Sequence, residues 1–137
     1  MEIKKIKSED VELVIDMLQD ISSFSPPKSK FQYIYQNFLN QDNVNGYVYM
    51  EKDKIVGYGS IVYETKIRGG KVGHIEDIVV KREHRGKNIG KKIIDSLIQN
   101  SRKKKCYKVS LVCKENNIGF YEKCGLVLDG FSMSKKL

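Results

Sequence analysis

Twenty residues in the second half of the chain, 73–92, restrict the possible fold more than any other part of the sequence. They read GHIEDIVVKREHRGKNIGKK. The apolar run Ile78, Val79 and Val80 is typical of a strand that is buried on both faces, and from Ile89 onward apolar residues recur at helical spacing. A basic loop that contains glycine separates the two patterns. The segment therefore predicts a strand in the middle of a sheet, a short loop and a helix.

The period of the apolar residues also divides the rest of the chain. It changes from helical spacing to alternation near residue 47, and it returns to helical spacing at residue 89. Ser8 is the expected N-cap of the first helix, and Pro26-Pro27 marks the loop that follows it. The expected elements are strands at 2–7, 47–51, 55–66, 71–80 and 107–113, helices at 8–21, 31–39, 89–98 and 116–123, turns at 43–46, 52–54 and 68–70, and a last strand or bent hairpin at 126–136.

The order of these elements, β-α-α-β-β-β-α-β-α-β, predicts the α/β class. We expect a central twisted mixed sheet flanked by helices, with β-α-β crossovers late in the chain. The 137 residues suit one hydrophobic core, and no linker interrupts them. We therefore expect a single domain that spans residues 1–137.

Composition narrows the possible classes of function. The formal net charge is +8, and no apolar run approaches the ~20 residues that span a bilayer. The N-terminus lacks the apolar core of a signal peptide. The three cysteines, Cys106, Cys113 and Cys124, are odd in number and show no C-x-x-C spacing, which argues against a disulfide framework or a zinc site. We expect a cytoplasmic protein that holds no metal and binds neither membrane nor nucleic acid.

Two adjacent carboxylates, Glu76 and Asp77, are unusual in a strand that should be buried. An unpaired buried charge is costly, so each carboxylate either lies at a wet strand end, or forms a salt bridge, or contacts a ligand. Neighbouring residues of a strand point to opposite faces of the sheet. We therefore expect Glu76 and Asp77 to face different surroundings.

The start of the helix after this strand carries an unusual concentration of positive charge. Arg82, Arg85, Lys87, Lys91 and Lys92 lie there, although cations at a helix N-terminus oppose the helix dipole. A bound anion would remove that conflict, and glycines at 86 and 90 would let backbone amides approach it closely. The alternative is that Asn88 is a simple N-cap and that the lysines are solvated. Because the Walker and G-x-G-x-x-G patterns are both absent, the loop keeps only the form R-x-x-x-x-G.

Residues 85–90, RGKNIG, resemble the acetyl-CoA loop of the GNAT superfamily of acetyltransferases, which usually reads R/Q-x-x-G-x-G/A. Asn88 stands where that pattern has Gly, and Asn tolerates unusual backbone angles better than most residues. Segments 73–80, 106–108 and 116–125 are also similar to those of glucosamine 6-phosphate N-acetyltransferases. They keep the order and spacing of that family over roughly the last half of the chain.

The resemblance implies the GNAT fold, a homodimer, and direct transfer of an acetyl group from acetyl-CoA to the amine of glucosamine 6-phosphate. This reaction belongs to UDP-GlcNAc biosynthesis. The catalytic residues that it implies are Glu76, Asp77 and Tyr121, of which Tyr121 protonates or stabilises the departing thiolate. The residues implied for acetyl-CoA are Ile78, Val79, Val80, Arg85, Gly86, Lys87, Asn88, Ile89, Gly90, Lys91, Asn117 and Tyr121. The residues implied for the sugar phosphate are Lys66, Arg68, Glu76, Asp77, Tyr107, Lys108 and Lys136 or its neighbour Lys135.

The chain departs from the family at Val112, where the family usually has Asp or Glu. The general base is therefore open between Glu76, Asp77 acting through water, and a backbone carbonyl. Another small amine, or a protein lysine or N-terminus, is the alternative acceptor. A basic nucleic-acid-binding module is the alternative outside enzymes, and the net charge is its only support. Cys124 is a poor candidate for a nucleophile because no His lies near it in sequence.

Overall fold

The computed structural model describes all 137 residues. Five strands and four α-helices follow one another in the order β1, α1, α2, β2, β3, β4, α3, β5, α4. The strands are β1 (Glu2–Lys5), β2 (Val44–Glu51), β3 (Lys54–Thr65), β4 (Lys71–Val80) and β5 (Lys108–Ser110). The helices are α1 (Val11–Leu18), α2 (Phe31–Leu39), α3 (Ile89–Lys103) and α4 (Ile118–Lys123).

The strands form one mixed sheet in the order β1-β2-β3-β4-β5. The first three pairs are antiparallel, whereas β4 and β5 are parallel because α3 carries the chain across between them. The predicted mixed sheet is confirmed. The position of β4 is different from the prediction, because β5 pairs with it only from Val72 to His74. The carboxyl half of β4 therefore has β3 on one side and no strand on the other.

The helices cover both faces of the sheet. On one face, Ile93, Ile94 and Leu97 of α3 are fully buried against side chains such as Val56 and Ile61. Shortening Leu97 to Ala would cost about 2–5 kcal/mol, as for other well-packed leucines. On the other face, α1 buries Val14 and Met17 against Val48, Tyr58 and Val79. These two clusters pack on β4 from both faces and so fix where the loop that follows begins.

The longest helix, α3, is amphipathic. Its apolar residues recur every three or four positions from Ile89 to Leu97 and are buried, while Lys91, Lys92 and Gln99 lie on the other side. No helix in the structure combines the length and the hydropathy that crossing a bilayer requires. Burial of one face against the sheet accounts for the sequence pattern of α3.

A β-bulge interrupts β4 at Asp77. Gly59 of β3 lies opposite two residues of β4, since the register passes from Tyr58↔Val79 directly to Ser60↔Glu76. Asp77 has a φ of 54°, in the left-handed region. The extra residue reverses the alternation of the strand, so Ile75 packs on α3 whereas Val79 packs on α1. The side chains near Asp77 are re-aimed as a result.

Several local predictions differ from the structure. Lys7, and not Ser8, precedes the first helical turn, and the carboxylate of Asp10 accepts the hydrogen bond from the amide of Lys7 at 2.9 Å. The turn expected at 43–46 already belongs to β2 from Val44 onward. The strand expected at 107–113 is only three residues long. Residues 126–136 form neither a strand nor a hairpin, because none of them pairs with another strand of this chain.

Candidate active site

Two adjoining grooves lie along the carboxyl half of β4. The first, the loop groove, has a volume of about 640 Å³ and runs from the end of β4 past the loop before α3 to α4. The second, the strand groove, has a volume of about 380 Å³ and lies between residues 75–78 of β4 and residues 111–114 after β5. The two grooves meet, so molecules bound in them would touch. The residues that line both are Asp20, Ile21, Ile78, Lys114, Asn117 and Tyr121.

The strand groove exists because β4 and β5 separate. Their pairing ends at His74 and Ser110, and beyond this point Leu111 and Val112 form the opposite wall. The side of β4 that faces this opening has no neighbouring strand. The early end of β5 therefore leaves room for a ligand beside the carboxyl half of β4.

The loop before α3 presents a row of free backbone amides. None of the amides of residues 86–91 donates to a backbone acceptor, and the first helical bond runs from the amide of Lys92 to the carbonyl of Asn88 at 3.1 Å. Gly86 has a φ of 80°, and a Cβ built there would meet no atom within 4 Å. Free amides at a helix start bind anions well, so the loop fits a phosphate or diphosphate.

Asn88 takes the left-handed conformation, with a φ of 62°, and its side chain forms no capping hydrogen bond. This confirms the prediction that Asn can replace Gly at this point of the loop, because Asn is among the few residues that adopt this conformation readily. The simple N-cap that was the alternative reading of Asn88 is absent. Asn88 contributes to the loop by turning the backbone into α3.

Two arginines beside the loop share one carboxylate. Arg85 donates from Nε to the carbonyl of Val80 at 3.0 Å and from Nη2 to Asp20 Oδ2 at 2.8 Å. Arg82 donates from Nη2 to Asp20 Oδ1 at 2.9 Å. The hydrogen bond from Arg82 is the main reason why the pKa of Asp20 lies below its usual value. Because Asp20 follows α1, these contacts fasten the N-terminal half of the chain to the loop.

Glu76 and Asp77 both line the strand groove, and both are exposed. The expectation that they face different surroundings is wrong, because the bulge at Asp77 breaks the alternation on which it was based. Partial burial is the main cause that raises the pKa of Glu76, and the neighbouring charge of Asp77 raises it further. Partial burial of the carboxyl group, in a residue that is exposed as a whole, also raises the pKa of Asp77. Two close carboxylates with raised pKa values can accept a proton from an amine more readily than free carboxylates.

Tyr121 lies where the two grooves meet. Its ring packs edge-to-face on Phe120, with the ring centroids 5.0 Å apart. Phe120 in turn approaches α3 at Gly90, where a Cβ would come within 3.0 Å of the ring. Burial, assisted by the nearby Cys113 and Cys124, raises the pKa of Tyr121. The phenol is therefore protonated at neutral pH and can act as a proton donor at this junction.

Cys124 has the character of a core residue. Its side chain is buried, and burial raises the pKa of the thiol. A buried thiol with a raised pKa is a weak nucleophile, because the thiolate is the reactive form. This agrees with the sequence argument against a covalent intermediate on Cys124.

The basic and aromatic residues implied for the sugar phosphate line neither groove. Lys66 pairs with Glu64 at 3.1 Å, and Lys108 pairs with Asp129 at 3.3 Å. The amide of Tyr107 donates to the carbonyl of Lys71 at the amino end of β4. Lys71 is roughly 20 Å along the strand from Asp77. Arg68 lies in the turn between β3 and β4, and Lys136 lies in the C-terminal segment. Their role in substrate binding stays a prediction.

Several residues that line the grooves were not found by sequence reasoning. Asp20 and Ile21 follow α1, and Asp20 is 62 residues from its partner Arg82. His84 lines the loop groove and bonds through Nδ1 to Glu51 at 3.2 Å. Lys114 lies between two predicted elements. No local pattern marks these side chains, since only the tertiary fold brings them to the site.

Residues 12–126 match the acetyltransferase (GNAT) family. The match covers most of the chain and both grooves, so this protein belongs to the GNAT family. The fold and the resemblance predicted from the sequence are thereby confirmed.

Within that family the chain is similar to glucosamine 6-phosphate N-acetyltransferases. It is 45% identical to the enzyme of Arabidopsis thaliana over 84 residues, which are 60% of this chain and 56% of that one. It is 49% identical to the enzyme of Dictyostelium discoideum over 84 residues, 60% of this chain and 54% of the other. The match thus spans about half the length of these curated relatives. The crystal structure of glucosamine-6-phosphate N-acetyltransferase from A. thaliana superposes with a TM-score of 0.88 at 34% identity, over 98% of this chain and 97% of that one.

Proposed function

We propose that the protein is an N-acetyltransferase that moves the acetyl group of acetyl-CoA to the amine of glucosamine 6-phosphate. The observation that carries this proposal is the junction of the two grooves at Tyr121. The free backbone amides lie in the loop groove, and the adjacent carboxylates of Glu76 and Asp77 lie in the strand groove. The names of the similar proteins suggest the sugar phosphate. The same proposal places the product, N-acetylglucosamine 6-phosphate, in UDP-GlcNAc biosynthesis and the protein in the cytoplasm.

The loop groove is the proposed site for acetyl-CoA, which supplies the thioester. The amides of residues 86–91 and the basic side chains beside them hold its diphosphate. Ile78, Val79 and Val80 offer their unpaired strand edge to the pantetheine arm, as a neighbouring strand would. Asn117 and Tyr121 lie at the inner end of the same groove.

Transfer needs a neutral amine, a carbonyl that can be attacked and a leaving thiol that can be protonated. Because the grooves are continuous, both substrates are held together and no acyl-enzyme is required. The amine nitrogen forms the new bond to the carbonyl carbon while the bond from that carbon to sulfur breaks. The phenol of Tyr121 is protonated at neutral pH and gives its proton to the sulfur as the thiolate leaves.

Glu76 and Asp77 are the proposed acceptors of the proton that leaves the amine. Both lie in the strand groove, and their pKa values are raised, which brings a carboxylate closer to the pH at which it works as a base. Val112 forms part of the opposite wall without contributing a charge. The proposed general base of the acceptor side is therefore on β4, and a backbone carbonyl is the alternative.

The proposal includes a homodimer. The C-terminal segment leaves apolar side chains in water, among them Val127 (81% exposed), Phe131 (103%) and Met133 (94%). Monomeric proteins seldom leave such apolar segments uncovered. The outer edge of β5 also has no partner in this chain. A second copy would cover both, and light scattering should give the mass of two chains in place of the single 15.8 kDa.

A thiol-release assay with acetyl-CoA tests the proposed reaction across a panel of amines. The panel contains glucosamine 6-phosphate, glucosamine, a polyamine, and a peptide with a free lysine and N-terminus. We expect the sugar phosphate to give the highest kcat/KM, with N-acetylglucosamine 6-phosphate as the product in mass spectrometry. Turnover of the peptide without turnover of the sugar phosphate would reject the acceptor, and no thiol release with any amine would reject the activity.

A further inference from the structure

The bulge in β4 disturbs the hydrogen-bond ladder between β3 and β4. In the register, Ser60 of β3 lies opposite Glu76, and the extra residue Asp77 follows directly. A bulge leaves backbone groups of the strand without their regular ladder partners. Each such group that is shielded from water needs another partner, because an unpaired buried polar group is costly. A side chain of the neighbouring strand that supplies this partner would stabilise the bulge.

Ser60 supplies such a partner. Its hydroxyl donates to the carbonyl oxygen of Glu76 at 3.2 Å, and this carbonyl belongs to the peptide bond between Glu76 and Asp77. Ser60 is only 3% exposed. Buried hydroxyl groups are nearly always hydrogen-bonded, since burial without a partner costs free energy. The hydroxyl of Ser60 and the carbonyl of Glu76 therefore satisfy each other at the point where β4 leaves its regular geometry.

Packing holds the bulge from the opposite face of the sheet. A Cβ built at Gly59 would come within 2.7 Å of Ile78 Cδ1, so the side chain of Ile78 lies directly over this glycine. Ile75 and Ile78 both pack on the cluster that faces α3. Glu76 and Asp77 are thus the two residues between two anchored isoleucines. The buried hydroxyl and the glycine, which are neighbours on β3, fix this short stretch from the two faces of the sheet.

We propose that Ser60 is a positioning residue for the reaction, because its hydroxyl holds the bulge that brings Glu76 and Asp77 together in the strand groove. This role rests on the proposed function and deepens it. Ser60 lines neither groove, so it acts on the acceptor side only through the backbone of Glu76. Without the hydroxyl the two carboxylates would be placed less accurately relative to the amine. A misplacement of about 1 Å can lower the rate of a reaction about 100-fold.

The test compares Ser60→Ala with Ser101→Ala in thiol-release assays and in calorimetric titrations with CoA. Ser101 of α3 is the matched control, because it is buried to the same degree and its hydroxyl also donates to a backbone carbonyl, that of Leu97 at 2.9 Å. It lines neither groove. In Ser60→Ala we expect kcat with glucosamine 6-phosphate to fall about 10- to 100-fold, while the Kd for CoA stays within about twofold. Ser101→Ala should change both quantities by less than about twofold.

Two further measurements separate positioning from a general loss of structure. Ser60→Thr keeps the hydroxyl and suits a strand, so it should bring kcat back to within about threefold of the unaltered protein. Amide-resolved nuclear magnetic resonance does not depend on turnover. In Ser60→Ala the amide signals of Asp77 and Ile78 should shift, whereas those of residues 86–91 should stay in place.

Several results would each overturn the positioning role of Ser60. They are a normal kcat or unmoved signals of Asp77 and Ile78 in Ser60→Ala, an equal loss of kcat in Ser101→Ala, no recovery in Ser60→Thr, and a weakening of CoA binding as large as the loss of kcat. In all of these cases the proposed reaction itself still stands. An unaltered protein that acetylates no amine would overturn the proposed function, and the catalytic consequence of Ser60 with it.

Discussion

The loop groove and the strand groove meet at Tyr121, but they are built in different ways. The anion site of the loop groove consists of backbone amides from consecutive residues, 86–91. The strand groove consists of side chains from three distant parts of the chain, around residues 20, 76 and 114. A site made of consecutive backbone depends on local conformation, whereas a site made of distant side chains depends on the whole fold. The two grooves should therefore respond differently to substitution.

The junction between the grooves should be the most sensitive point. Tyr121→Phe removes the proton donor and keeps the ring that packs on Phe120. We expect kcat to fall about 100- to 10,000-fold, the range for loss of a general acid. The affinity for acetyl-CoA should change less than about twofold, because the phenyl ring still fills the space. Steady-state thiol release together with calorimetry measures both quantities, and a normal kcat would remove Tyr121 from the role of acid.

On the strand-groove side, Glu76→Gln should lower kcat about tenfold or more, because one of the two proton acceptors is lost. The raised pKa of Glu76 predicts that kcat/KM of the unaltered protein increases with pH through a value above that of an ordinary glutamate. In Glu76→Gln the rise of kcat/KM with pH should occur at a different pH. Glu122→Gln, an exposed position of α4 that lines neither groove, is the matched control and should leave the profile unchanged.

The same substitution should stabilise the fold at neutral pH. A carboxyl group with a raised pKa holds its proton more tightly in the folded chain, so the unfolded chain loses its proton first as the pH rises. Stability therefore falls between the ordinary pKa of glutamate and the raised one. Thermal unfolding should give a higher Tm for Glu76→Gln than for the unaltered protein at pH 7, and equal values near pH 4. A lower Tm for the variant at pH 7 would contradict the raised pKa.

On the loop-groove side, Gly86→Ala tests the backbone without changing any charge. The new Cβ meets open space, but a φ of 80° is unfavourable for Ala. A cost of about 1–3 kcal/mol for such a conformation predicts a Kd for CoA that is about five- to a hundredfold higher, with kcat nearly unchanged at saturation. Gly119→Ala has equally open space and an ordinary φ, so it should bind CoA normally. Equal effects of both substitutions would show that the conformation of the loop is not what matters.

The smallest effect should come from Asn88→Gly. Since Asn88 already takes the left-handed conformation and makes no capping bond, Gly should change the stability by less than about 0.5 kcal/mol. The Kd for CoA should stay within about twofold. Asn88→Val, by contrast, should destabilise the protein by about 1 kcal/mol or more, because a β-branched residue is strained at this φ. Denaturant unfolding of the two variants separates these outcomes.

The same contrast explains what could be predicted from the sequence. The strand-loop-helix unit was readable because its signals are local, namely an apolar run, a glycine turn and helical spacing. The tolerance of the loop for Asn88 was readable for the same reason. Asp20 and Lys114 were not, because no local pattern marks a side chain whose partner lies far away along the chain.

Two errors of the sequence reasoning have definite structural causes. Glu76 and Asp77 lie in the same groove because a β-bulge opposite Gly59 reverses the alternation of β4. The sequence does not show this bulge, since residue 77, which takes a positive φ, is not a glycine. The last strand was expected because residues 126–136 are partly apolar. In the single chain they pair with nothing, since a strand needs a partner as well as a suitable sequence.

The central claim is that the free amides of residues 86–91 hold the diphosphate of coenzyme A. An amide-resolved nuclear magnetic resonance titration tests it most directly, with CoA and, separately, with pantetheine, which lacks the diphosphate. We predict that the amide signals of residues 86–91 shift strongly with CoA and little with pantetheine. If these signals stay in place at saturating CoA, or shift equally with pantetheine, the diphosphate is not bound by the loop.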